Sequence, residues 1–87
     1  MKVVVKQIEM VSYTKINGEI QPIRFRMHLE DESVKVIKID KVITRENEKL
    51  AGNNMILFKC QSVIDGVNRL FEIKYELATC KWMLFKM

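Results

Sequence analysis

Basic and titratable side chains occupy every second position of one short segment, as Arg24, Arg26 and His28. If this segment is a β-strand, alternation places all three on one face. Lys35, on the next segment, could extend the row. Rows of cations attract the phosphates of nucleic acid or the carboxylates of a protein. The row therefore predicts a binding stripe, and the alternative is a solvated face on which acidic groups neutralise the cations.

Binding of nucleic acid would also require aromatic side chains on the stripe, because bases stack on them. Strand alternation directs most aromatic residues inward instead, namely Phe25, Phe58, Phe71, Tyr75 and Trp82. Tyr13 and Phe85 are left to stack. The net charge of +4 is also divided evenly along the chain, with no basic block. We therefore expect a protein-interaction or self-association module, with weak nucleic-acid binding as the alternative.

Residues that carry catalytic or metal chemistry are sparse. His28 is the one histidine, and Cys60 and Cys80 fall too far apart along the predicted strands to form a disulfide. We expect both to be reduced and mostly buried thiols. The acidic run at 30–32 is typical of a solvated turn. The sequence lacks a glycine-rich phosphate loop and a Cys-x-x-Cys pair, and it predicts neither an enzyme nor a cofactor or metal site.

Length and composition predict a small folded domain spanning residues 1–87. Hydrophobic residues make up 48% and charged residues 30% of the chain, as in ordinary globular proteins. No apolar run approaches the roughly 20 residues of a membrane-spanning helix, and the first residues do not resemble a signal peptide. We expect a cytoplasmic protein that does not associate with membranes.

The strongest structural signal is a hairpin around Asp65-Gly66, the dipeptide that a two-residue type I′ turn favours. Counting outward from this turn predicts two sets of cross-strand pairs. The apolar set is Ile64–Val67, Ser62–Arg69, Cys60–Phe71, Phe58–Ile73 and Ile56–Tyr75. The other set is polar or opposite in charge, as on a wetter face: Gln61–Leu70, Lys59–Glu72, Leu57–Lys74 and Met55–Glu76.

A second turn signal, Asn17-Gly18, predicts a hairpin between the first two strands. As a two-residue loop it would place Met10 opposite Phe25 and Glu9 opposite Arg26. On the same register Ser12 would face Ile23, Ile8 would face Met27 and Gln7 would face His28. Pro22 lacks a backbone donor, so we expect it at an edge or a bulge.

The rest of the chain completes an all-β fold of six mostly antiparallel strands, in a strongly bent sheet or a small SH3-like or OB-like barrel. A third strand covers 34–43. Residues 45–51 contain good helix formers before Gly52, which suits the position after a helix, so a short helix is predicted there. An ordered loop is the alternative.

The last strand, residues 80–87, is apolar on both faces. Continued pairing places Tyr75 opposite Trp82 and Ile73 opposite Leu84, while Met83, Phe85 and Met87 form a candidate interface on the other side. So apolar a strand cannot remain an exposed edge without promoting aggregation. We expect it to pair with the valine-rich first strand and close a barrel, and burial against a second copy of the chain is the alternative.

Two short motifs resemble those of a known group of proteins. The segment Pro22-Ile23-Arg24-Phe25, and the later Tyr75-Glu76-Leu77 followed by Trp82-Met83-Leu84, are similar to those of small bacterial all-β proteins classed as a domain of unknown function. That group carries additional tryptophans that this chain lacks. The resemblance implies a barrel-like fold and transfers no activity, cofactor or binding residue.

Overall fold

The computed structural model describes all residues 1–87 and consists of seven antiparallel β-strands, one more than predicted. They are β1 (Val3–Thr14), β2 (Ile20–His28), β3 (Val34–Lys38), β4 (Lys41–Leu50), β5 (Asn53–Ile64), β6 (Val67–Glu76) and β7 (Lys81–Lys86). They form one sheet in the order β3-β2-β1-β7-β6-β5-β4. The predicted all-β class is confirmed.

The sheet is strongly curled into a half-barrel. Its end strands, β3 and β4, are consecutive in the chain and separated by Ile39 and Asp40 alone. The Ile39 amide donates to the carbonyl of Ile23 before β3 gives way to β4, and the Asp40 amide donates to the carbonyl of Gln61 in β5. This two-residue connection therefore contacts both sides of the curled sheet, and the strand predicted over 34–43 divides there.

The central hairpin has the predicted register. All ten pairs between β5 and β6 follow from Asp65-Gly66, from Ile64 opposite Val67 to Met55 opposite Glu76. Both turn residues have positive φ, 50° at Asp65 and 78° at Gly66, as a type I′ turn requires. The turn chemistry and the alternation of side chains thus determine this element locally.

The predicted pairing of the last strand with the first is also confirmed, although the sheet is a half-barrel and not a closed barrel. β7 lies between β6 and β1, with Tyr75 opposite Trp82 and Ile73 opposite Leu84. It begins at Lys81 rather than Cys80, because Leu77–Cys80 form the turn. Pairing on both edges protects the most apolar strand without requiring a second copy of the chain.

The core fills the concave side of the sheet with residues from six of the seven strands and from the β3–β4 connection. Phe25 and Phe71 meet edge to face with ring centroids 5.6 Å apart, and Phe58 lies 5.6 Å from Trp82. Each of these four aromatic side chains is at most 7% exposed. Their burial confirms the inward direction predicted for them and provides much of the core's hydrophobic area.

The helix predicted over 45–51 is wrong, because residues 45–50 belong to β4 and pair with β5 from Arg45–Phe58 to Leu50–Asn53. Ala51 and Gly52 have φ of 52° and 83° and form the tight turn between these strands. A glycine with positive φ serves a helix terminus and a type I′ turn equally well. Pairing along the neighbouring strand overrides the local helix propensity.

The first hairpin has the predicted register near the core and a different one near its tip. Glu9–Arg26 and Met10–Phe25 pair as expected, but a bulge between Val11 and Ser12 places Ser12 opposite Pro22 rather than Ile23. The bulge therefore coincides with the proline, where a missing donor is tolerated. Gln7 pairs with Met83 of β7 and not with His28, because β1 leaves β2 and joins β7 at this level.

Candidate protein-interaction surface

The outward side of β1, β2 and β3 carries the predicted basic residues together with exposed valines. Glu9, Arg26 and Val36 lie side by side in one row across the three strands, and Val11, Arg24 and Lys38 form the next. Phe25 and Ile37, between these rows, are buried on the other side. Alternation fixes both assignments. We call these six outward residues the β1–β2–β3 face.

Glu9 organises one end of this face. Its carboxylate accepts hydrogen bonds from Nε and Nη2 of Arg26 at 3.1 and 3.0 Å, and Oε1 lies 3.0 Å from Nε2 of His28. The hydrogen bonds from Arg26 and His28 hold the pKa of Glu9 below its usual value, while the hydrogen bond to Glu9 raises the pKa of Arg26. Arg26 is therefore neutralised within the protein and is less available to a partner.

Arg24 and Lys38 remain the unpaired cations of the face. They lie directly opposite each other on β2 and β3, and neither has a carboxylate within ion-pair distance. Like charges in this position repel each other, so an anion bound between them would be stabilised by both. Arg24 and Lys38 are therefore the charges of this face that are available to a partner.

Lys35 is not part of the row, which corrects the sequence prediction. It pairs with Met27, on the opposite side of the sheet from Arg24, and its Nζ donates to Asp65 at 2.6 Å. Lys38 takes the expected position instead. The difference arises from the Leu29–Ser33 connection, whose length places His28 opposite Val34 and so fixes which lysine faces outward.

Apolar side chains surround the unpaired cations. Val11 is 50% and Val36 61% exposed, and Tyr13 near the hairpin tip is 55% exposed. A shallow depression of about 470 Å³ lies between the rows, with Val11, Val36 and Arg24 among its lining residues. Exposed apolar residues beside unpaired charge are typical of a docking surface for another protein. Sequence inspection missed the valines because their face depends on the register of three strands.

The residues of the candidate interface on the last strand make most of their contacts within the chain. Met83 and Phe85 are half-buried, and Nζ of Lys74 lies 3.8 Å from the centroid of the Phe85 ring. Met87 packs against the core, and its backbone exchanges two hydrogen bonds with Lys2. These contacts cover much of the apolar surface that would otherwise favour self-association.

The two cysteines have different environments. Cys60 is buried, and this burial raises the pKa of its thiol to about 12. Cys80 is exposed in the turn before β7, so the prediction that it is buried is wrong. Both thiols are free. No three His, Cys, Asp or Glu side chains come together as a metal site, and no helix is long and apolar enough to cross a membrane.

Comparisons with protein-family models, with curated proteins and with solved structures find no match to this chain. The resemblance suggested by the Pro22–Phe25 and Tyr75–Leu84 motifs therefore stays a prediction.

Proposed function

We propose that this protein is a non-catalytic interaction module that binds an acidic, partly apolar segment of another protein through the β1–β2–β3 face. The observation that carries this proposal is that Arg24 and Lys38 lie opposite each other without an acidic partner, bordered by exposed Val11 and Val36. We place the protein in the cytoplasm, where unpaired thiols such as Cys60 and Cys80 are stable.

The two cations of the face suit a carboxylate, and the valines beside them suit an apolar side chain. The Arg24 guanidinium can bind a carboxylate through two parallel hydrogen bonds, and the Lys38 ammonium adds a second charge from the adjacent strand. The valines would contact aliphatic side chains next to that carboxylate. An aspartate or glutamate followed by a branched apolar residue therefore has the complementary chemistry.

The experiment compares the native protein with Arg24→Glu and with Arg69→Glu as baits for crosslinking and affinity capture. Arg69 is an exposed arginine on β6, so its reversal matches the change in net charge at a distant position. We expect a partner that is retained by the native protein and by Arg69→Glu and lost with Arg24→Glu. Equal retention by all three proteins would refute this face as the binding surface.

Binding of single-stranded nucleic acid to the same face is the second candidate function, favoured by the exposed ring of Tyr13 on β1. Electrophoretic shift assays with labelled 20-nucleotide DNA and RNA at low salt test it. This function requires a shift that weakens as salt is raised and is lost in both Arg24→Ala and Tyr13→Ala. The absence of any shift at low salt would exclude it.

Self-association is tested separately by size-exclusion chromatography with light scattering. Because Met83, Phe85 and Met87 are half-buried and Phe85 lies against Lys74, we expect a monomer at tens of micromolar. A dimer that dissociates on Met83→Lys substitution would instead place the interface on the last strand.

A further inference from the structure

The edge of β4 that faces away from β5 is open. β4 ends the strand order and pairs with β5 alone, and no backbone hydrogen bond outside that pairing involves Lys41–Leu50. Across this open side, Nη1 of Arg45 donates to the carbonyl of Ile20, at the start of β2, at 2.6 Å. Unpaired strand edges bind further strands.

There is room beside this edge. A depression of about 520 Å³ lies between the tip of the first hairpin, at Thr14 and Ile20, and the concave side of the sheet beside β4, where Arg45, Asn47 and Ile56 line it. β1 pairs with β7 only as far as Ile8, so the tip of the first hairpin lies beyond the part of β1 that joins it to β7. Beyond Arg45, whose side chain crosses to Ile20, the residues from Glu46 to Leu50 are exposed except for the half-buried Glu48, so this part of the edge is accessible.

The charges along this edge alternate in a defined way. Glu46 and Glu48 lie outward, opposite Leu57 and Met55, whereas Arg45 and Lys49 share the other side of the strand. Glu48 is partly neutralised by Lys74 at 3.0 Å, and Glu46 has no ion pair. Outward positions are therefore acidic and inward positions basic.

This pattern opposes pairing with a second copy of the chain. Consider two copies of β4 that pair antiparallel about a two-fold axis. Residues opposite each other must lie on the same face of the sheet, so the axis lies between the two copies of one residue, which we call the centre. A centre at 45, 46, 48 or 49 places that charged residue opposite its own copy. A centre at Asn47 places Glu46 opposite Glu48 and Arg45 opposite Lys49. Every centre from 45 to 49 juxtaposes like charges, which destabilises a sheet.

We propose that the open edge of β4 accepts an extended segment of a different protein, one in which basic residues alternate with acidic ones. Its basic residues lie opposite Glu46 and Glu48, and its acidic residues lie opposite Arg45 and Lys49. Backbone hydrogen bonds provide the pairing, and the charges select this partner over a second copy. The edge is distinct from the β1–β2–β3 face and needs no residue of it.

The first test uses an acetylated peptide of four Lys-Glu repeats as the probe, titrated into the native protein and followed by amide chemical shifts at 50 mM salt. A peptide of the same composition, with four lysines followed by four glutamates, is the control. We expect shifts centred on β4 and weaker binding of the control. Glu46→Lys should lower the affinity for the alternating peptide by about tenfold, since it converts an attractive cross-strand pair into a repulsive one.

The second test changes the charges on β4 so that they favour pairing with a second copy of the chain. The double variant Glu46→Lys with Lys49→Glu keeps the net charge and, centred on Asn47, places opposite charges at all four positions of a β4–β4 pairing. Analytical ultracentrifugation should show a monomeric native protein and a dimeric double variant. A monomeric double variant, equal binding of the two peptides, or no effect of Glu46→Lys would each overturn the proposal.

Discussion

The turn at Ala51-Gly52 provides a direct test of the hairpin between β4 and β5. Ala51 has a φ of 52°, in the left-handed region that costs an ordinary L-residue about 1 to 2 kcal/mol. Asparagine tolerates this region, and Asn-Gly is the preferred type I′ dipeptide. Ala51 is exposed, so its replacement removes no buried area. We therefore expect Ala51→Asn to raise the free energy of unfolding.

The expected gain is about 0.5 to 1 kcal/mol, since asparagine recovers part of the left-handed cost. In a domain of this size, that corresponds to a rise in Tm of about 3 to 6 °C. Urea denaturation followed by circular dichroism measures the first quantity and thermal melting the second. Gly52→Ala should lower stability by about 1 kcal/mol: its φ is 83°, and an added Cβ would contact nothing within 4 Å.

Ala78→Asn is the matched control, because Ala78 is also an exposed turn residue but does not have positive φ. It should change stability by less than about 0.5 kcal/mol. If residues 45–51 were helical, Ala51→Asn would be destabilising, since asparagine is a poorer helix former than alanine. A loss of stability in Ala51→Asn, or a gain no larger than that of the control, would refute the turn.

Three further outcomes follow from the structure. The lowered pKa of Glu9 means that its ion pair stabilises the fold above pH 4.5, and this stabilisation is lost as the pH falls through the lowered value. Urea denaturation between pH 2 and 7 should therefore show Glu9→Gln to be less stable than the native protein only at the higher pH. Iodoacetamide at pH 8 should alkylate Cys80 in the folded protein and Cys60 only after unfolding, as mass spectrometry of the products would show; rapid labelling of Cys60 would contradict its burial. In urea denaturation, Phe58→Ala should lower the free energy of unfolding by about 3 to 5 kcal/mol and Val36→Ala by less than about 0.5 kcal/mol. Similar values for the two variants would contradict the assignment of Phe58 to the core and Val36 to the exposed face.

Most elements that sequence inspection predicted correctly depend on neighbours close in the chain. Asp65-Gly66 sets every pair between β5 and β6, and the Ala78-Thr79 region then sets Tyr75 opposite Trp82. The closure of the last strand on the first also followed, because an apolar strand has to be covered. A short turn transmits the register from β5 to β6 and from β6 to β7, whereas β7 and β1 come from opposite ends of the chain.

The errors occur where distant strands decide the outcome. Residues 45–50 have helical propensity, but pairing with β5 along one edge of the strand outweighs it. The choice between Lys35 and Lys38 on the candidate face depends on a connection too long to fix register by turn type, and the bulge at Val11 similarly changed the partner of Ser12. Exposure of Cys80 has a local cause instead, because the turn covers Leu77–Cys80 and the last strand begins one residue later than predicted.

The sequence by itself determined the all-β class, the central hairpin and the direction of its aromatic side chains, because turn residues and alternation act over a few positions. Tertiary structure alone decided that Arg24 meets Lys38 between exposed valines and that β4 keeps an open edge with alternating charge. These features require the relative register of strands that are far apart in the chain. Both proposed binding surfaces arise at that level, where curling of the sheet brings its two ends together at Ile39 and Asp40.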